Sequence, residues 1–150
     1  MQKLQAFQAA LYDSIPLVNH MQLALHNITS NSITASAPIA PNINDKSTVF
    51  GGSSAALMTV TGWALIKYQL EYKQMTNDVV IYQSKVHWNQ AQTDDLIITA
   101  KIESAVKWSD VMATLIDKNR TTKIKVNCKV LNQANEVCSQ MKGNYVILKK

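Results

Sequence analysis

A chain of 150 residues, 47% of them hydrophobic, with four glycines and three prolines, is long enough for one domain with a sizeable core and too apolar for a disordered protein. Fifteen basic against ten acidic residues leave a formal charge of +5, but Arg120 is the only arginine and no nucleic-acid motif accompanies it, so nucleic-acid binding is not expected. Cys128 and Cys138 have neither CxxC spacing nor partnered histidines, which excludes the usual metal centres and favours free thiols in a cytoplasmic protein; a pair across the last hairpin is the alternative. No cofactor is expected, because Gly51-Gly52 lacks the lysine of a phosphate-binding loop. Residues 1–17 lack a charged leader followed by a long apolar run, so no secretory signal is expected.

The first element is a short amphipathic helix over 3–12, with Pro16 just beyond its end. Residues 21–28 and 32–39 form two strands joined at Ser30-Asn31. A helix follows from Val49 to about Tyr72, without proline and without charge until Lys67. It is apolar on nearly every face, as in a helix buried inside a fold. Its uncharged stretch is too short and too polar to cross a membrane, which takes roughly 20 residues. Gly62, before Trp63, marks a close approach to a sheet, with Trp63 in the core. Strands follow over 78–88 and 96–104, then a short helix over 109–119 capped by Ser109. In 122–131 the alternation is regular: Ile124, Val126, Cys128 and Val130 face one way, Lys123, Lys125, Asn127 and Lys129 the other. A last strand over 137–148 closes the sheet. These elements make an α+β fold, one domain over 1–150, with a curled, mainly antiparallel sheet of about six strands around one long helix.

The junction before the long helix carries the chemistry. Ser47 or Thr48 is the expected N-cap, and Asp45 places negative charge before the positive end of the helix dipole. Gly51 and Gly52 fall in the first turn, where each costs about 1 kcal/mol relative to alanine. They leave bare backbone that a ligand can approach, next to N–H groups able to hold an anion or a developing oxyanion. Close helix–sheet packing is the other use of two such glycines.

Asn42-Ile43-Asn44-Asp45-Lys46 followed by Thr48-Val49-Phe50-Gly51-Gly52, with Ile15-Pro16-Leu17 and Gly62-Trp63, resembles the YiiD C-terminal-domain group of hotdog proteins, over essentially the whole chain. That group is labelled as thioesterases, and members have been associated with malonyl-acyl carrier protein decarboxylation. Members also occur fused behind an acetyltransferase domain, for which this chain has no room. The resemblance implies a homodimer, or a dimer of dimers, with sheets joined edge to edge. It also implies a pantetheine channel where one helix N-terminus meets the neighbouring subunit.

The residues weigh two reactions. Thioester hydrolysis needs a base to activate water. Between Asn44 and Leu70 the only carboxylate is Asp45, and His20, His26 and His87 lie at unrelated positions. Decarboxylation of a malonyl thioester needs instead fixed donors for an enolate oxygen. Asn44 and the first-turn N–H groups can supply them. The expectation is therefore decarboxylation of malonyl-acyl carrier protein to the acetyl thioester, in support of fatty-acid synthesis. Asn44 is the principal polar catalyst, Asp45 its helper, and Ser47, Thr48, Val49, Phe50, Gly51 and Gly52 contact substrate. The alternatives are an acyl-CoA or acyl-carrier-protein thioesterase using Asp45 as base, and a module that binds acyl thioesters or their carrier without turnover. Asn44 and Asp45 also suit a plain turn. Lys123, Lys125 and Lys129, extended by Lys85 or Lys101, form a basic row that would steer an acidic carrier protein, or simply a solvated face that discourages edge pairing.

Overall fold

The computed structural model describes residues 2–150. Two helices open the chain, α1 (Gln2–Ser14) and α2 (Pro16–His20). Strands β1 (Ala24–Ile28) and β2 (Ser32–Ala37) follow, then a single 3-10 turn over Ala40–Asn42 and the 22-residue helix α3 (Gly51–Tyr72). Next come β3 (Val79–Trp88), β4 (Leu96–Ile102), the short helix α4 (Trp108–Met112) with a π-turn over Ala113–Asp117, β5 (Thr122–Leu131) and β6 (Val137–Ile147). The six strands form one antiparallel sheet in the order β1-β2-β4-β5-β6-β3. α3 packs against β2, β3, β4, β5 and β6, so the expected central helix and antiparallel sheet are both present.

The alternation in β5 explains the inner face. Ile124, Val126, Cys128 and Val130 are buried against α3, and the intervening lysines are exposed. From the helix, Leu57, Met58, Ala64, Leu65, Ile66 and Leu70 are fully buried. Burying each large side chain contributes about 1.5–3 kcal/mol, which outweighs the poor helix propensity of the two leading glycines. Gly62 is where α3 and the sheet come closest. A Cβ there would lie 2.5 Å from Tyr145 Oη, and that hydroxyl donates to the Thr59 carbonyl at 2.6 Å. Burial raises the Tyr145 phenol above its usual range, so it stays a donor.

Several expectations are corrected. α3 begins at Gly51 with Phe50 in the N-cap position and no side-chain cap; neither Ser47 nor Thr48 caps it. Pro16 does lie just beyond the end of α1, and there it starts a second helix that was not expected, its fixed φ suiting the first helical position. The first strand starts at Ala24, because Met21 sits in the turn ending α2 and Gln22 takes a positive φ of 59°. The late helix starts at Trp108, with Lys107 rather than Ser109 before it. Cys128 stands opposite Met141 on β6, and both cysteines are free thiols. Burial pushes the Cys128 thiol up to about 12 and raises that of Cys138 as well, so both stay protonated at neutral pH.

β3 forms one edge of the sheet. It is ten residues long, bulges at Tyr82, and exposes Val80, Tyr82 and Trp88. Among the described residues, no helix is long and apolar enough to cross a membrane.

Gly62→Ala tests the helix–sheet contact. Alanine favours a helix by about 1 kcal/mol, but overpacking against a buried, hydrogen-bonded tyrosine costs typically 1–3 kcal/mol. We expect net destabilisation, read as a lower urea midpoint; an unchanged or higher midpoint would show that the contact is soft.

Candidate active site at the start of the long helix

The segment between the 3-10 turn and α3 is a tight reverse turn. Ile43 and Val49 form an isolated antiparallel bridge, and Asn44 N–H donates to the Thr48 carbonyl at 2.8 Å. The Asn44 side chain holds the turn from inside. Its Oδ1 accepts from the backbone N–H groups of Lys46 (2.9 Å) and Thr48 (3.1 Å), and its Nδ2 donates to Thr48 Oγ1 at 2.9 Å. Ser47 pays for the reversal with a positive φ of 61°, a left-handed conformation that costs an L-residue about 1–2 kcal/mol. Asp45 points outward, its carboxylate 3.2 Å from Lys46 Nζ and both side chains largely exposed.

Asn42 lies below this turn and is 1% exposed. Its Nδ2 donates to the Met21 carbonyl at 3.0 Å and the Pro38 carbonyl at 2.8 Å, tying α2 to the end of β2. Its own carbonyl accepts from Phe50 N–H at 2.7 Å, and Val49 N–H donates to the Gln92 carbonyl at 2.9 Å. The entry to α3 is thus fixed from two sides.

The helix start itself is left open. Ser54 N–H makes the first helical bond, to the Phe50 carbonyl. The N–H groups of Gly51, Gly52 and Ser53 find no acceptor among the described residues. The two glycines have neighbours that explain them. Trp88, at the end of β3, donates from Nε1 to the Gly51 carbonyl at 3.0 Å, and its ring fills the space where a Gly51 side chain would go. The Phe50 ring occupies the corresponding space at Gly52. An uncapped first turn with bare backbone can receive an anion or an oxyanion.

A pocket of about 290 Å³ adjoins this turn, lined by Val49, Gly51, Ser54, Trp88, Gln90, Ala91, Gln92 and Ser139. None of these side chains is charged. Ser54, Gln92 and Ser139 are all buried.

Of the residues singled out in the sequence, Asn44, Asp45, Ser47, Thr48, Val49, Phe50, Gly51 and Gly52 fall together around the α3 start, and Val49 and Gly51 line the pocket. Lys123, Lys125 and Lys129 do not join them; they lie exposed on the opposite, outer face of the sheet. Lys101, Lys142 and Lys85 share that face, in register with Asn127 between the first two. His20 and His87 are exposed, and His26 bonds Ser36 Oγ on β2; none lines the pocket. No cluster of ligands for a metal occurs among the described residues. Asn42, Ser54, Trp88, Gln92 and Ser139 were not anticipated. For Asn42 the signal was its place in the amide-rich motif; the others are brought in only by the sheet order.

The family model described as "Putative thioesterase (yiiD_Cterm)" matches residues 4–149. The putative thioesterase from Shewanella oneidensis is similar in structure, with a TM-score of 0.86 at 24% sequence identity over 98% of each chain. A protein of unknown function from Chlorobaculum tepidum reaches 0.88 at 18% identity, over 97% of this chain and 94% of that one. The PaaI protein of the E. coli phenylacetic acid degradation operon reaches 0.73 at 11% identity, over 98% and 94%. At these identities the likeness shows the shared hotdog fold.

Asn42→Ala would leave the Met21 and Pro38 carbonyls without their donor. We expect a loss of about 1–3 kcal/mol in chemical denaturation. A change below about 0.5 kcal/mol would mean that the tie is dispensable.

Proposed function

The chain belongs to the putative thioesterase family of the YiiD C-terminal domain, and from that premise we propose that it decarboxylates a malonyl thioester, carried on acyl carrier protein or coenzyme A, to the acetyl thioester. The observation that carries this reading is the pairing of an uncapped helix start with a pocket that holds no carboxylate, histidine or other charged group. Hydrolysis needs a base beside the attacked carbonyl. The pocket offers none, and Asp45 is turned outward to Lys46.

Decarboxylation makes fewer demands. The bond between the malonyl methylene and its carboxylate carbon breaks, and CO2 leaves. The electron pair moves onto the thioester oxygen as an enolate, and water returns a proton to carbon. The N–H groups of Gly51, Gly52 and Ser53 are the proposed donors to the enolate oxygen. Asn44 supplies the Nδ2 proton not used on Thr48, which makes it the proposed principal polar catalyst. One well-aimed donor of this kind is worth roughly 3–4 kcal/mol in the barrier. Ser47, Thr48, Val49 and Phe50 shape the approach, and Asp45, bonded only to the side chain of Lys46, takes no part in the chemistry. The carrier's pantetheine would lie between two copies of the chain paired through β3, whose long unpaired edge and exposed Val80, Tyr82 and Trp88 favour such pairing. Cytoplasmic carrier-bound substrate fits this reading, and the outer lysines would attract its acidic carrier. A thioesterase with Asp45 as base is the second reading, favoured by the family's own description.

Two substitutions separate these roles. Asn44→Asp keeps the oxygen that accepts from Lys46 and Thr48 but removes the amide donor. It should fold and melt like the parent while losing about 10²–10³-fold in kcat on malonyl thioester. Asp45→Asn should retain activity. Full activity in Asn44→Asp, or abolition of turnover by Asp45→Asn, contradicts the proposal and favours the hydrolase.

A further inference from the structure

The pocket beside Gly51 is lined by three buried polar residues, Ser54, Ser139 and Gln92, and the last carries a buried oxygen with no partner in the protein. Ser54 is 3% exposed and Ser139 4% exposed, and neither hydroxyl makes a hydrogen bond to another described residue. Gln92 is 4% exposed, and its orientation is fixed. Its Nε2 donates to the carbonyls of Asp95 and Leu131, both at 3.1 Å, which leaves Oε1 as the free end, without any donor. A buried polar atom without a partner costs about 1–3 kcal/mol, so Gln92 Oε1 calls for an occupant or a water to complete it. The serines come from α3 and β6 and the glutamine from the β3–β4 connection, so three separate elements converge on one small space.

We propose that Ser54, Ser139 and Gln92 form an acyl-head subsite that selects short thioesters carrying oxygen at the far end of the acyl group over alkyl thioesters of the same shape. This rests on the thioester reading of the α3 start. The two hydroxyls donate to the distal oxygens. Gln92 Oε1, an acceptor only, takes one proton of a water whose other proton bonds the substrate. An alkyl group in the same place would strip these groups of water and return nothing, the condition under which a polar site rejects an apolar isostere most strongly. The lining has no cation. A distal carboxylate would therefore be held by neutral donors without being neutralised, and its charge would stay available to leave as CO2.

Malonyl and isovaleryl groups make the test, because a branched pair of methyls replaces the carboxylate oxygens at nearly constant shape. Their coenzyme A amide analogues, with nitrogen in place of the thioester sulfur, are titrated into the full chain by calorimetry. The expected result is at least about tenfold tighter binding of the malonyl analogue, each tenfold being about 1.4 kcal/mol. In Ser54→Ala/Ser139→Ala the preference should fall below about threefold, mainly through weaker malonyl binding, with an unchanged melting temperature. Ser139→Ala alone, the milder change, should fall between. Equal affinities in the parent chain, or a full preference surviving in the double variant, would overturn the proposal. So would failure of both analogues to bind; the thioester reading itself stands or falls separately, with turnover of malonyl-acyl carrier protein. Malonyl preference without any turnover would leave the subsite standing while contradicting decarboxylation.

Discussion

Gly62 lacks a side chain, and so Tyr145 of β6 reaches across α3 to the Thr59 carbonyl. That contact sets how closely the helix lies on the sheet. Everything else in the site follows from the position it imposes. With α3 held against β2–β6, its first turn comes up against Trp88 at the end of β3, and the indole settles on the Gly51 backbone. A helix lying further out would open the space that Trp88, Ser139 and Gln92 now close.

The stability of the helix and the chemistry of its start pull in opposite directions. A side-chain cap is typically worth 0.5–2 kcal/mol, and α3 forgoes one. Two glycines in the first turn weaken it further. The apolar surface buried by Leu57, Met58, Leu65, Ile66 and Leu70 is more than enough to offset these losses. A helix so deeply buried can leave its first N–H groups for a substrate. The residues suited to capping are instead spent on the turn, where Asn44 accepts two backbone bonds and Thr48 closes the reversal.

How far the sequence foretold this depends on the range of the interaction involved. The strand alternation in β5 was legible because one face is buried and the other wet, so every second residue carries the signal. Gly62 before Trp63 was legible because a glycine inside an apolar helix has few uses other than close approach. The helix start was misplaced because Ser47 and Thr48 are good capping types; only the positive φ at Ser47 and the bond from Asn44 to Thr48 reveal their other use. Pro16 signalled an end and a beginning equally well. Of the pocket, only Val49 and Gly51 were legible. Ser54, Trp88, Gln92 and Ser139 are ordinary residues in their own segments, and they meet only because β6 pairs with β3 and the β3–β4 connection folds over the helix start.

The central claim is that a helix start with open donors and no base breaks a carbon–carbon bond rather than a thioester. The direct measurement is mass spectrometry of the protein incubated with malonyl-acyl carrier protein. The account predicts acetyl-acyl carrier protein, 44 Da lighter for the loss of about one CO2 per turnover. Release of free carrier thiol without an acetylated product would contradict it and assign the site to hydrolysis.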